Sequence, residues 1–147
     1  MKMILRIIIL FLISLTASAS FKDKIYGSVF VSEVTSIYDA DTFRVNIKGY
    51  PPVIGEHMSI RVLGVDAPEI RGKCKAEKQK ARNAKQFTVH ALRSAKVIEL
   101  RDIKRGKYFR LLADVYIDGK SLSNQLIKAG HARVYNGGKR GGWCNVP

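Results

Sequence analysis

The chain has few acidic residues, few histidines and only two cysteines, and each shortage narrows the possible functions. The 147 residues include 12 Asp and Glu and 26 Lys and Arg, which gives a formal net charge of +14. A charge of this sign and size favours polyanionic partners. The three histidines are scattered and no His–Cys cluster exists, which argues against a zinc or other transition-metal site. Repeats, low-complexity blocks and internal linkers are also missing, which favours one domain.

Long apolar runs are scarce as well. The run at residues 7–15 has nine residues, whereas a membrane-spanning helix needs about 20. It follows the basic residues Lys2 and Arg6 and precedes Ala17-Ser18-Ala19, an order typical of a secretory signal peptide. We therefore expect residues 1–19 to be cleaved after Ala19, and the protein to be exported to the periplasm or secreted. An uncleaved membrane anchor is the alternative.

The remaining chain, residues 20–147, is long enough for a single domain with its own core. Loss of Lys2 and Arg6 would lower its net charge to about +12. Such a charge favours nucleic acid, anionic lipid head groups or acidic polysaccharide, and does not choose among them. We expect a monomer with no stable membrane association after signal cleavage.

The cysteines, Cys74 and Cys144, would lie in a compartment where disulfides persist. We predict a bridge that ties the chain end to the loop after Glu69, worth about 4 kcal/mol in the loop-entropy treatment. Two free thiols are the alternative, and two isolated cysteines offer no ligand set for a metal.

Periodicity predicts a mainly β, α+β fold. Helical spacing of alanines predicts a helix around residues 81–95, and Ser121 is a predicted N-cap for a short helix ending at Ala129, with Gly130 after it. Asp118-Gly119 predicts a tight turn. The order favours a five-stranded Greek-key barrel of the oligonucleotide-binding (OB) type with two or three helices. The predicted strands cover residues 27–37, 42–48, 58–65, 97–101 and 108–117.

Two acidic turns carry the candidate metal ligands. Asp41 and Asp66 each lie at a strand end, and two converging carboxylates repel unless a cation lies between them. Exported proteins meet Ca²⁺, which prefers oxygen ligands. The alternative is that Asp39 and Asp41 bond to backbone amides of their own turn. Glu69, three residues past Asp66, is placed to hold or deprotonate a water, or else is simply an N-terminal residue of a turn or helix.

Two arginines interrupt apolar strands. Arg61 alternates with Leu63 and Val65 and is predicted to share their face, and Arg110 interrupts a similar segment. A guanidinium fork suits phosphate oxygens, although a structural ion pair is the alternative for each. Further candidates for substrate binding, or else simple core or rim residues, are Lys107, Tyr108 and Tyr135.

In this order and spacing, the motifs resemble those of the thermonuclease, or staphylococcal-nuclease-like, family. Residues 39–42, Asp-Ala-Asp-Thr, resemble the family's Asp-Gly-Asp-Thr, and residues 61–69 resemble Arg-x-x-x-x-Asp-x-Pro-Glu. Residues 107–110, Lys-Tyr-Phe-Arg, resemble Lys-Tyr-Gly-Arg. The resemblance covers about residues 34–135. Ala40 and Phe109 replace family glycines, so the first turn cannot require a glycine-only conformation, and Phe109 is expected to narrow the pocket.

The resemblance implies an OB barrel and hydrolysis of DNA and RNA to products with 3′-phosphates. It implies that Arg61 and Arg110 bind the scissile phosphate, while Glu69 acts on the attacking water as a base or as an orienting group. It also implies one Ca²⁺, held by Asp41, Asp66 and the backbone carbonyl of Ala67.

Two other hypotheses remain open. A non-catalytic OB-fold module could bind single-stranded nucleic acid through charge and stacking alone. A cationic envelope protein bound to lipid or polysaccharide would explain the charge but would leave the acidic residues without a role.

Overall fold

The computed structural model describes residues 24–145, so the predicted signal peptide at residues 1–19 lies outside the described residues. Within residues 24–145, no helix is both long and apolar enough to cross a bilayer. In chain order the elements are β1 (Val29–Ile37), β2 (Thr42–Ile47), α1 (Pro52–Gly55), β3 (Met58–Val62), β4 (Val65–Asp66), α2 (Lys75–Ser94), β5 (Ile98–Arg105), β6 (Arg110–Ile117), β7 (Lys120–Ser121), α3 (Leu122–Lys128) and β8 (Arg133–Val134).

Five strands form a closed barrel, as predicted. Antiparallel pairing runs in the order β3-β2-β1-β5-β6, and a parallel pairing of β3 with β6 closes the sheet. The short strand β7 extends β6, while β4 and β8 form a separate two-stranded ribbon. With the three helices, this is the predicted α+β, OB-type architecture.

Alternating burial explains the barrel. In β2, Phe43, Val45 and Ile47 point to the core, while Arg44 is exposed. In β3, Met58, Ile60 and Val62 are buried and the residues between them are half-buried. The barrel strands, α2 and α3 share one core. Its fully buried large apolar side chains include Phe43, Val45, Ile60, Val62, Val65, Leu100, Val115, Leu122 and Leu126.

The predicted third strand was too long. It ends at Val62, because Leu63 and Gly64 turn the chain and Gly64 has a φ of 77°, in the left-handed region that glycine tolerates. Arg61 therefore does not share a core face with Val65. Its side chain lies on the half-buried face of β3, opposite Met58, Ile60 and Val62.

The predicted start of the last barrel strand was also wrong. Tyr108 and Phe109 have φ values of 58° and 53°, so they belong to the turn that leaves β5, and β6 begins at Arg110. The preceding strand is longer than predicted, with an irregularity between Arg101 and Lys104.

Both predicted helices are present, but their predicted bounds were partly wrong. Helix α2 begins at Lys75, six residues before the predicted stripe, and α1, with Pro52 in its first turn, was not predicted. The predicted Asp118-Gly119 turn is confirmed by φ values of 48° and 79°, and Ser121 caps α3 by accepting from the Asn124 amide at 3.4 Å.

Candidate active site

The carboxylate of Asp41 is buried at the junction of β2, β3 and β4. Its Oδ1 accepts from Thr42 Oγ1 and from Arg61 Nη1, both at 2.9 Å, and its Oδ2 accepts from the Ala67 amide at 3.4 Å. The bonds from Arg61 and Ala67 join Asp41 to β3 and to the residue after β4, while the bond from Thr42 lies within the acidic turn. Asp41 is thus adjacent to the backbone that follows Asp66, although the two are far apart in sequence.

The turn that carries Asp41 is held by its neighbours. Asp39 Oδ1 accepts from the Asp41 amide at 3.3 Å, so the turn-capping alternative applies to Asp39. Burial and the neighbouring Asp41 raise the pKa of Asp39 to about 7. Ala40 is fully buried and needs no left-handed backbone, and its carbonyl accepts from Thr88 Oγ1 of α2 at 2.8 Å. Alanine therefore fits where the motif that this turn resembles has glycine.

Asp66 is buried and is held from the C-terminal side of the chain. Pairing of β4 with β8 sets Asp66 opposite Arg133, whose Nε and Nη2 donate to Asp66 Oδ2 at 3.0 and 2.8 Å. Trp143 Nε1 donates to the same oxygen at 3.2 Å, and the Arg133 guanidinium lies 4.4 Å from the Trp143 ring centre. The other oxygen, Oδ1, is 3.7 Å from Arg140 Nε.

Glu69 lies in the loop between β4 and α2, and its Oε1 accepts from Arg140 Nη1 at 2.7 Å. Glu77 of α2 shapes this loop, since its buried carboxylate accepts from the amides of Glu69 and Lys73 at 3.4 and 3.0 Å. A Cβ on Gly72 would lie 2.4 Å from the Glu77 side chain, so the loop packs closely on it.

Arg61 and Arg110 lie on neighbouring strands with their side chains on one face. Arg110 is in register with Ser59, and Ser59 and Arg61 share the half-buried face of β3. Arg61 is an ion-pair partner of Asp41, so that alternative applies to it, while no ion pair involves Arg110 within the described part of the chain.

The two guanidinium groups are electrostatically unfavourable together. Burial, and then repulsion from Arg61, lowers the pKa of Arg110. Arg61 Nη2 and Arg110 Nε are both buried, and neither has a hydrogen-bond acceptor among residues 24–145. Two adjacent cations with unused buried donors form a site that an anion would satisfy.

The other predicted substrate-binding residues lie in two separate segments of the chain. Lys107 and Tyr108 are exposed in the turn before Arg110. Tyr135 is half-buried beside the C-terminal segment, and its hydroxyl donates to the Gly138 carbonyl at 2.7 Å. Phe109 is exposed and borders an apolar cavity of about 260 Å³, which Arg110 also lines.

The predicted disulfide joins Cys74, the N-cap residue of α2, to Cys144. It holds the C-terminal segment against the site, and the neighbouring Trp143 is buried.

Sequence reasoning missed several residues that support the site. Only two of these missed residues carried a signal in the sequence. Glu77 stands three residues after a helix N-cap, and Trp143 adjoins a cysteine predicted to be bridged. The missed residues are Glu77, Thr88, Arg133, Arg140 and Trp143.

A family model described as staphylococcal nuclease homologue matches residues 59–141. The chain belongs to this family. The matched residues include Arg61, Asp66, Glu69 and Arg110, while Asp41 precedes them. Family membership agrees with the barrel and with the resemblance found in the motifs.

Three curated relatives are similar to this chain. Identity is 30% over 129 residues with the uncharacterized protein MJ1439 of Methanocaldococcus jannaschii, covering 72% of the chain and 59% of that protein. It is 35% over 98 residues with endonuclease YncB of Bacillus subtilis, covering 65% and 44%. It is 34% over 98 residues with SPbeta prophage-derived endonuclease YokF of Bacillus subtilis, covering 65% and 31%. The chain thus spans less than two thirds of each relative.

Asp41, Asp66 and the backbone carbonyl of Ala67 are the oxygen donors that could hold a hard cation. Asp41 and Asp66 are both buried, and the Asp41 carboxylate accepts a hydrogen bond from the Ala67 amide. Each carboxylate is also paired with an arginine, Asp41 with Arg61 and Asp66 with Arg133. Carboxylate and carbonyl oxygens are the ligands that Ca²⁺ prefers. By contrast, the cluster of Cys74, Glu77 and Cys144 offers no thiolate, because both sulfurs are in the disulfide.

Proposed function

We propose that the protein is a Ca²⁺-dependent nuclease that hydrolyses phosphodiester bonds in DNA and RNA and leaves 3′-phosphates. Family membership and the names of two relatives, both endonucleases, support nuclease chemistry. The observation that carries the proposal is the pair of adjacent guanidinium groups, Arg61 and Arg110, with buried donors that lack acceptors. A non-catalytic binding module would not need this pair beside three carboxylates.

Arg61 and Arg110 would bind the non-bridging oxygens of the scissile phosphate. Negative charge grows on these oxygens as water attacks phosphorus, and donors fixed in advance stabilise that charge more than the ground state. The two strands hold both side chains on one face of a closed sheet, so little reorganisation is needed when the substrate binds.

Asp41, Asp66 and the backbone carbonyl of Ala67 would hold the Ca²⁺. When bound, that ion supplies Lewis-acid polarisation of the phosphate and a lower pKa for a bound water. Glu69 would orient the attacking water or accept its proton. As the water oxygen bonds to phosphorus, the bond between phosphorus and the 5′ oxygen would break, which would leave the phosphate on the 3′ oxygen of the product.

The proposal includes export, either to the periplasm or to the medium, and action as a monomer on nucleic acid. The positive charge of the chain would speed encounter with the polyanion, so association should weaken as salt concentration rises.

The test compares cleavage of single-stranded DNA by the purified protein with Ca²⁺ and with a chelator. Arg61→Ala and Arg110→Ala should each lower turnover by about 100-fold or more, because each removes one fixed donor. Arg44→Ala is the matched control, since Arg44 is an exposed arginine of the same barrel. End-group analysis should find 3′-phosphates.

Near-native turnover in both arginine variants would contradict the roles assigned to them. DNA binding without cleavage in either condition would support the non-catalytic OB module instead.

A further inference from the structure

The C-terminal segment of residues 133–144, here called the tail, is fixed at both ends. Strand β8 at its start pairs with β4, and Cys144 at its end is bonded to Cys74. Between these anchors, Arg133 also donates to the carbonyls of Gly141 and Gly142. The tail therefore crosses the candidate site as a closed loop and is not a free end.

Arg140 lies at the middle of this loop and points into the site. Its Nη1 is 2.7 Å from Glu69 Oε1, and its Nε is 3.7 Å from Asp66 Oδ1. Its guanidinium also lies 5.8 Å from the ring centre of Tyr135. Burial by itself would lower the pKa of Arg140, but the carboxylates of Asp66 and Glu69 raise it above its ordinary value.

Glu69 needs such a partner. Its side chain is 56% exposed and stands on an irregular loop, so without a contact it would sample several rotamers. A carboxylate that orients or deprotonates water must hold one oxygen in a fixed place. Arg140 binds Oε1 and leaves Oε2 available to the water.

We infer that Arg140 is a positioning residue for Glu69, delivered to the site by the disulfide-closed tail. The inference rests on the proposed nuclease function. It assigns to the tail a role that the family motifs do not contain, because Arg140 lies outside residues 34–135, which the motif resemblance covers. The Arg140–Glu69 contact joins residues 71 apart in sequence.

The experiment compares Arg140→Ala with Lys139→Ala. Lys139 is the neighbouring exposed cation, and it takes part in no ion pair within residues 24–145. Lys139→Ala therefore removes the same charge as Arg140→Ala but does not remove the contact with Glu69. Arg140→Ala should lower turnover at saturating DNA by roughly tenfold or more, the range found when a residue that orients a reactive group is lost. Lys139→Ala should change only KM and its salt dependence.

Two further readouts separate positioning from a general structural effect. Added guanidinium ion should restore part of the activity of Arg140→Ala and leave Lys139→Ala unchanged. In a Glu69→Gln background, Arg140→Ala should have little further effect, because a residue that acts through Glu69 has nothing left to position.

The outcomes are distinct. If wild-type protein cleaves and Arg140→Ala behaves like Lys139→Ala, the inference is wrong and the proposed function stands. If Arg140→Ala costs the same factor with and without Glu69→Gln, then Arg140 acts independently of Glu69 and the inference is also wrong. A wild-type protein that cleaves no nucleic acid would instead overturn the proposed function.

Discussion

The two buried aspartates of the site are held in different ways. Asp41 is held by the barrel, through Thr42 and Arg61 on paired strands and the amide of Ala67. Asp66 is held by the tail, through Arg133 and Trp143. Thr42 and Arg61 belong to the closed sheet, while the tail partners of Asp66 depend on a two-residue ribbon, a ring contact and one disulfide. One buried carboxylate thus depends mainly on the closed sheet, and the other depends on how the tail is anchored.

The largest effect should come from removing the disulfide. Cys74→Ser with Cys144→Ser should lower the free energy of unfolding by about 4 kcal/mol, since the bridge closes a loop with a sequence separation of 70. It should also loosen the tail and reduce cleavage. Because Trp143 is the chain's one tryptophan, its fluorescence reports on the tail directly and should shift to the red.

Far-UV circular dichroism provides the comparison for that experiment. The barrel signal should be retained at low denaturant while the Trp143 emission shifts. If barrel and tail signals change together at every denaturant concentration, the two halves of the site are one cooperative unit and the contrast between them fails.

An intermediate effect is expected on the barrel side. Thr88→Val removes the buried hydrogen bond to the Ala40 carbonyl with little change of shape, and should cost about 2 kcal/mol of unfolding free energy. Cleavage should fall as well, because the acidic turn that carries Asp41 loses its hydrogen bond to α2. Thr88→Ser keeps the hydroxyl and is the control for denaturation and turnover. Equal stability of the Val and Ser variants would show that this hydrogen bond contributes nothing to the free energy of unfolding.

A smaller effect is expected on the tail side. Trp143→Phe keeps a ring near Arg133 but removes the donor to Asp66, and should cost about 1 kcal/mol, because Arg133 still donates twice to the same oxygen. Trp143→Leu also removes the ring contact and should cost more, as measured by chemical denaturation followed by circular dichroism. A Phe variant as unstable as the Leu variant would assign the whole effect to the hydrogen bond.

Most of the barrel could be predicted from local patterns. Alternation along Thr42–Ile47 predicts its two faces, and Asp118-Gly119 predicts the turn into β7. The errors fell where one residue's backbone conformation changes the path of the chain: Gly64 breaks the third strand, and Tyr108 and Phe109 delay the start of β6. An apolar pattern does not encode that change, because a turn and a strand can have the same composition.

By itself, the sequence determined the motif order, the number and approximate positions of the barrel strands, and the family, because each depends on residue type or on short-range spacing. Only the tertiary structure decided that Arg133, Arg140 and Trp143 hold Asp66 and Glu69. Those contacts join residues 67 to 77 positions apart. No local periodicity encodes a contact at that separation, since it exists only once the barrel has closed and the disulfide has fixed the tail against it.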